Sequence, residues 1–90
     1  MNDSDLQDFR NKIDEIDDNI VKLLLERFAV VKNVAKYKKE HGLEIEQKKR
    51  EAEVLKKISE KINSQEYTEY ILEIYKTVLE TSKKSQSKII

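Results

Sequence analysis

Residues 9–37 read FRNKIDEIDDNIVKLLLERFAVVKNVAKY, and the spacing of their apolar side chains decides the fold. The steps between these positions alternate between four and three residues, which is typical of one helical stripe that faces a partner. The stripe consists of Phe9, Ile13, Ile16, Ile20, Leu23, Arg27, Val30, Val34 and Tyr37. Arg27 interrupts it with a permanent charge. Because burying an unpaired guanidinium costs roughly several kcal/mol, Arg27 requires a carboxylate of the protein or an anionic ligand.

The remainder of the chain has the same helical character, with no proline and with Gly42 as its only glycine. We predict an all-α protein with one domain over residues 1–90 and helices at about 4–41, 46–62 and 65–86. Gly42 is the expected left-handed end of the first helix. The expected N-terminal caps are Ser4, within a capping box completed by Gln7, and either Asn63 or Ser64 for the third helix.

The predicted first helix is too long for the domain. Residues 4–40 would extend roughly 55 Å at 1.5 Å per residue. A compact domain of 90 residues has a radius of gyration of only about 12 Å. Residues 46–90 supply too little helix to cover the whole apolar stripe, whereas a second copy of the chain could. We therefore expect an intertwined homodimer.

Composition excludes several classes of protein. The chain has 18 basic and 18 acidic residues, so no excess charge favours nucleic acid. The absence of cysteine excludes disulfides and thiolate zinc sites. The N-terminal residues resemble no signal peptide, and no apolar run approaches the ~20 residues that span a bilayer. We expect a cytoplasmic protein that binds neither membrane nor nucleic acid and uses no metal.

Polar residues also interrupt the apolar stripes of the second and third helices. These stripes are Arg50, Val54, Ile58, Ile62 and then Ile71, Ile74, Val78, Ser82, Gln86, Ile89. Helical periodicity therefore assigns Arg50, Ser82 and Gln86 to the core. Three helices that direct polar groups inward predict a polar pocket inside a bundle, which is where helical folds build ligand sites.

Helix geometry indicates which polar residues can share a ligand. Lys38 follows Arg27 by eleven residues, which places both on one face about 16 Å apart. Arg10 precedes Arg27 by about 25 Å and points roughly 100° away, so it can reach such a site only in a partner chain. The surplus of cations indicates a small ligand with more than one carboxylate or phosphate. No nucleophilic triad can be assembled, and the lone His41 is expected to be solvated.

At this point the chain resembles the all-helical chorismate mutases over almost its whole length. The resemblance rests on the order of Arg10, Arg27, Lys38, Arg50-Glu51, Ser82 and Gln86, and on the segments FRNKIDEIDDNIVKLLLER, KYKK and QKKREAEVL. It implies a [3,3]-sigmatropic rearrangement of the dicarboxylate chorismate to prephenate, in the biosynthesis of phenylalanine and tyrosine. This reaction is unimolecular and needs no covalent help, so the resemblance also implies that no cofactor is used.

The resemblance further implies a role for each site residue. Lys38 and Gln86 would donate hydrogen bonds to the ether oxygen, and Glu51 would bind the ring hydroxyl. The substrate carboxylates would be held by Arg27, by Arg10 from the partner chain and with help from Arg50, and Ser82 would line the carboxylate end. Gln47 stands where the family often has an acidic residue, so we expect a weakened or shifted contact there.

Other interpretations remain open at this stage. Arg27 could pair with Glu51 or Glu80 in a structural salt bridge, and Ser82 could bond to its own backbone. A non-enzymatic helical dimerisation module would need the same stripes. An isochorismate-pyruvate lyase of the same fold would share much of the cation set, although Glu51 argues against it. The chain could also be a domain of a fused enzyme of the same pathway.

Overall fold

A computed structural model describes residues 3–89 and contains three α-helices. They are α1 (Asp3–Glu40), α2 (Lys48–Lys61) and α3 (Thr68–Ser87). Residues 3–89 contain no strand, and the prediction of an all-α fold is confirmed. The chain divides into two compact units, Met1–Val30 and Val31–Ile90. Within the described part of the chain, no helix combines the length and apolar character needed to cross a membrane.

The described part of the first unit is a single stretch of α1. The helix begins at Asp3, so Ser4 lies inside it and the predicted cap at Ser4 is wrong. Gln7 instead uses its side-chain Nε2 to donate a hydrogen bond to Asn11 Oδ1, 2.9 Å away. This contact joins residues four positions apart on one exposed face, which is the pairing that a continuous helix favours.

The apolar stripe of α1 is open to solvent in the single chain. Its side chains in the first unit are between 48% and 62% exposed, namely Phe9, Ile13, Ile16, Ile20, Leu23 and Val30. Soluble monomers rarely expose a contiguous apolar surface of this extent, because transfer of apolar groups out of water is favourable.

In the second unit, α1 ends at Glu40, and Gly42 is the left-handed residue after it, as predicted. Gly42 has φ 64°, a left-handed conformation that costs other residues energy through their Cβ. The Leu43 N–H donates to Lys38 O over 2.8 Å, and the Gly42 N–H donates to Lys39 O over 3.4 Å. These two bonds form a Schellman motif, which satisfies the last carbonyl groups of the helix and turns the chain towards α2.

The starts of α2 and α3 lie two to three residues later than predicted. Gln47 is the N-cap of α2 without a side-chain capping bond, since its Nε2 donates backwards to Glu44 O at 2.8 Å. The N-cap of α3 is Tyr67, so the prediction of Asn63 or Ser64 is wrong. A turn precedes this helix, and Thr68 Oγ1 closes it by donating to Ser64 O over 2.6 Å.

Helices α2 and α3 pack against each other, and burial is greatest along α3. Leu79, Ser82 and Gln86 are buried on α3, and Ala35 is fully buried on the last turns of α1. Ala35 directly follows Val34 of the predicted stripe. The buried face of α1 in this unit is therefore shifted by one residue from that stripe. Two of these four buried residues are polar, and they mark the position of the site.

Candidate active site

The centre of the site is a direct contact between α1 and α3. Lys38 Nζ donates a hydrogen bond to Gln86 Oε1 at 2.8 Å. It donates a second hydrogen bond to the carbonyl oxygen of Ile45, also at 2.8 Å, in the loop after α1. The structure thus brings together the two residues that sequence reasoning proposed as hydrogen-bond donors, although 48 positions separate them in the sequence.

The hydrogen bonds made by this pair determine which donors remain for a ligand. An ammonium group has three N–H donors and no acceptor, so two donors of Lys38 are in use and one remains. The contact with Lys38 must involve the amide oxygen of Gln86, which leaves its NH₂ group to face other partners. One ammonium N–H of Lys38 and the NH₂ group of Gln86 are therefore not used in this contact, and Gln86 is only 6% exposed.

Burial changes the electrostatics of Lys38. Partial desolvation lowers the pKa of its ammonium group below the usual 10.5, and the negative charge of Glu51 acts in the opposite direction. Removing water weakens the charged form, but it also strengthens the interaction of the remaining charge with any anion nearby. Glu51 is thus close enough to affect Lys38 although no hydrogen bond joins the two.

Glu51 pairs with a residue that the sequence did not indicate. Lys83 Nζ lies 3.0 Å from Glu51 Oε1 and 3.7 Å from Glu46 Oε1. The pKa of Lys83 is raised, mainly by its hydrogen bond to Glu51. The only sequence signal was that Lys83 precedes Gln86 by three positions, which is one helical turn. In a chain with 40% charged residues, that spacing does not distinguish Lys83 from its neighbours.

Ser82 is buried on the same turn of α3. Its Oγ donates to the carbonyl oxygen of Val78, at 2.8 Å, one turn earlier. The structure therefore contains the bond to its own backbone that was one of the two interpretations of this residue. A hydroxyl oxygen that donates in this way can still accept hydrogen bonds.

Within the second unit, Arg50 and Gln47 lie outside this cluster. Arg50 has an exposed side chain (62%) whose Nη1 lies 3.8 Å from Glu53 Oε2, so the predicted core position of Arg50 is wrong for the single chain. Gln47 is also exposed. Arg10 and Arg27 belong to the first unit, where Arg10 is exposed and Arg27 is half-buried. The second unit assembles Lys38, Glu51, Ser82, Lys83 and Gln86.

His41 has no place in this cluster. It is exposed, as expected, and its ring stacks on Tyr37 with 3.9 Å between the ring centroids. His41 Nδ1 lies 2.8 Å from the carbonyl oxygen of Tyr37. Across the described residues, no group of three or more His, Cys, Asp or Glu side chains is arranged to hold a metal ion.

The fold and the site define an all-helical domain in which a lysine and a buried glutamine are in direct contact. The sequence profile of the family described as "Chorismate mutase type II" matches residues 9–87. This chain belongs to that family.

Several relatives are similar over most of the chain. A "Chorismate mutase" of Methanocaldococcus jannaschii is 33% identical, covering 94% of this chain and 87% of that protein. A "Bifunctional chorismate mutase/prephenate dehydratase" of Buchnera aphidicola subsp. Acyrthosiphon pisum is 35% identical over 91% of this chain, but the chain spans only 22% of that protein. A solved structure, "Conserved hypothetical protein from Pyrococcus furiosus", is 36% identical with a TM-score of 0.77, covering 94% of this chain and 99% of that one.

Proposed function

We propose that this chain is a chorismate mutase in which Lys38 and Gln86 form the catalytic donor pair. The observation that carries the proposal is the 2.8 Å hydrogen bond from Lys38 Nζ to Gln86 Oε1, which orients one spare ammonium N–H and one amide NH₂ group. Family membership supports the activity, which is the isomerisation of chorismate to prephenate in aromatic amino acid biosynthesis. The residue roles are inferred from the geometry and from the resemblance.

The rearrangement needs positioned hydrogen-bond donors. One carbon–oxygen bond of the enolpyruvyl ether breaks while a carbon–carbon bond forms within the same molecule, so no atom or electron is gained or lost. Negative charge grows on the ether oxygen as its bond to the ring stretches. Donors fixed in advance at that oxygen stabilise the transition state, and a single such donor contributes a factor on the order of 10²–10³ in rate. Holding the flexible arm in a reactive pose supplies a further part.

The remaining residues are assigned on the resemblance. Glu51 accepts a hydrogen bond from the ring hydroxyl, and Gln47 makes a weaker contact there. Ser82 lines the carboxylate end of the pocket. Three arginines serve the two carboxylates of the substrate, namely Arg27, Arg50 and Arg10 of the partner subunit.

A homodimer with shared sites is part of the proposal. It is supported by the exposed apolar stripe of α1 and by the length of that helix, whose 38 residues extend about 57 Å. A second α1 packed along the stripe would remove this apolar surface from water. The cytoplasmic location remains a prediction from the sequence.

The test compares two substrates and matched lysine variants. Purified protein is mixed with chorismate, and prephenate and pyruvate are both quantified, with isochorismate as the control substrate. Prephenate from chorismate is the expected result. Pyruvate from isochorismate alone would indicate the lyase, and no turnover of either substrate would indicate a dimerisation module.

The Lys38→Met variant should lose most of the activity. Lys36→Met removes the same charge from an exposed position on the same helix and should leave turnover unchanged. Equal activity in both variants would remove Lys38 from the catalytic pair.

A further inference from the structure

Glu51 lies near a lysine and a second carboxylate, and its proposed contact with the ring hydroxyl of the substrate requires neither of them. Lys83 Nζ lies between two carboxylates, 3.0 Å from Glu51 and 3.7 Å from Glu46. The side chains of Lys83 and Glu51 are 31% and 23% exposed, so water screens this pair less than an ordinary surface ion pair. Glu51 lies on α2, Lys83 lies on α3 and Glu46 lies in the loop before α2.

Without Lys83, the negative charges of Glu51 and Glu46 would be offset here only by the more distant charge of Lys38. Two carboxylates that both lie within 4 Å of one ammonium group are close to each other, and their combined charge would repel a ligand that carries two carboxylates. Lys83 compensates one of these charges. Its ammonium group contacts Oε1 of Glu51, and the carboxylate can still accept further hydrogen bonds.

We propose that Lys83 is a positioning residue for substrate binding, which fixes the Glu51 carboxylate and cancels the charge of Glu46. This inference rests on the proposed function and adds a residue to it. Lys83 acts through Glu51, so its loss weakens recognition of the substrate more than it slows the chemical step at the Lys38–Gln86 pair.

The experiment measures KM and kcat for Lys83→Met with chorismate. We expect KM to rise about tenfold while kcat falls less than threefold, because binding of a dianion senses the uncompensated charge. Lys83→Arg should keep KM near the wild-type value, since it preserves the charge. Lys84→Met is the matched control, because Lys84 is the exposed neighbour on the same helix and its loss should leave both constants unchanged.

A second variant separates positioning from a structural effect. Adding Glu46→Gln to Lys83→Met removes the excess negative charge and should recover at least half of the lost affinity. A purely structural role for Lys83 predicts no recovery. Lys83→Gln provides the same comparison if Lys83→Met does not fold, as judged by circular dichroism.

Two further outcomes would overturn the inference. An unchanged KM in folded Lys83→Met would show that Lys83 is a surface residue, and an equal rise in KM for Lys84→Met would show a general charge effect. In both cases the wild-type enzyme still converts chorismate, so the proposed function stands. If the wild-type protein converts no chorismate, the proposed function itself fails.

Discussion

Replacing Gln86 by glutamate changes the donor pair while keeping its shape. The amide oxygen accepts a hydrogen bond from Lys38 at 2.8 Å, and a carboxylate oxygen can accept the same bond. The NH₂ group is lost, and at neutral pH its place is taken by an oxygen that has no proton to donate. The nearby ammonium group favours the ionised carboxylate, although burial at this position opposes ionisation.

The magnitude follows from the number of donors. Loss of one of the two proposed donors costs on the order of 10²–10³ in kcat, and the new negative charge faces the charge that develops on the ether oxygen. As pH falls through the pKa of the introduced carboxyl group, its O–H restores a donor. Gln86→Glu should therefore gain activity about tenfold for each pH unit on the basic side of that pKa, whereas the wild-type rate should stay flat in this range.

The assay is kcat for chorismate measured from acidic to neutral pH. Gln86→Met is the matched control, because it lacks a donor at every pH and should stay slow throughout without a pH dependence. Thermal unfolding should show both variants folded over the same range. A flat profile for Gln86→Glu with activity close to wild type would refute the reasoning and remove Gln86 from the site.

Three further predictions concern other parts of the structure. Because desolvation lowers the pKa of Lys38, wild-type kcat/KM should fall on the alkaline side with an apparent pKa below 10.5, and a limb at or above 10.5 would contradict this. Gly42→Ala should lower the free energy of unfolding in urea by about 1 kcal/mol, because alanine is strained at a φ of 64°. Gly42→Asn should lower it by less. Equal stability of the wild type and both variants would contradict the role of Gly42 in ending α1. Arg10→Ala and Arg27→Ala should each be nearly inactive, yet refolding them together should restore roughly a quarter of the wild-type activity, because one site of each mixed dimer is intact. No recovery from a mixture shown to contain mixed dimers would contradict shared sites.

The sequence predicted features that depend on local pattern. The apolar side chains from Phe9 to Tyr37 are spaced alternately by four and three residues, which indicates a helix. The single glycine, Gly42, indicates the left-handed residue that follows its end. Lys38 and Gln86 were identifiable because the resemblance named them, and because Gln86 interrupts an apolar stripe. The structure brings these two residues into contact.

The features that the sequence did not predict depend on contacts between helices. Lys83 becomes distinctive only when α3 lies beside α2 and Glu51 comes within 3.0 Å of it. Arg50 fits the core pattern of α2, yet in the single chain it faces solvent and pairs with Glu53. The cap of α3 was misplaced because Tyr67 takes the N-cap position without a side-chain capping bond, so no polar cap residue marks the start of this helix.

The central claim is that Lys38 and Gln86 stabilise the transition state rather than the bound substrate. A stable bicyclic dicarboxylate that mimics the rearranging ring system measures this directly, because such analogues bind in proportion to transition-state stabilisation. Its dissociation constant and the KM for chorismate would be compared for wild type, Lys38→Met, Gln86→Met and the double variant. We predict that each single change weakens binding of the analogue by about 10²-fold or more, while KM for chorismate changes only several-fold. In the double variant, the loss of affinity for the analogue should differ from the sum of the two single losses. Unchanged affinity for the analogue in folded single variants would contradict the claim.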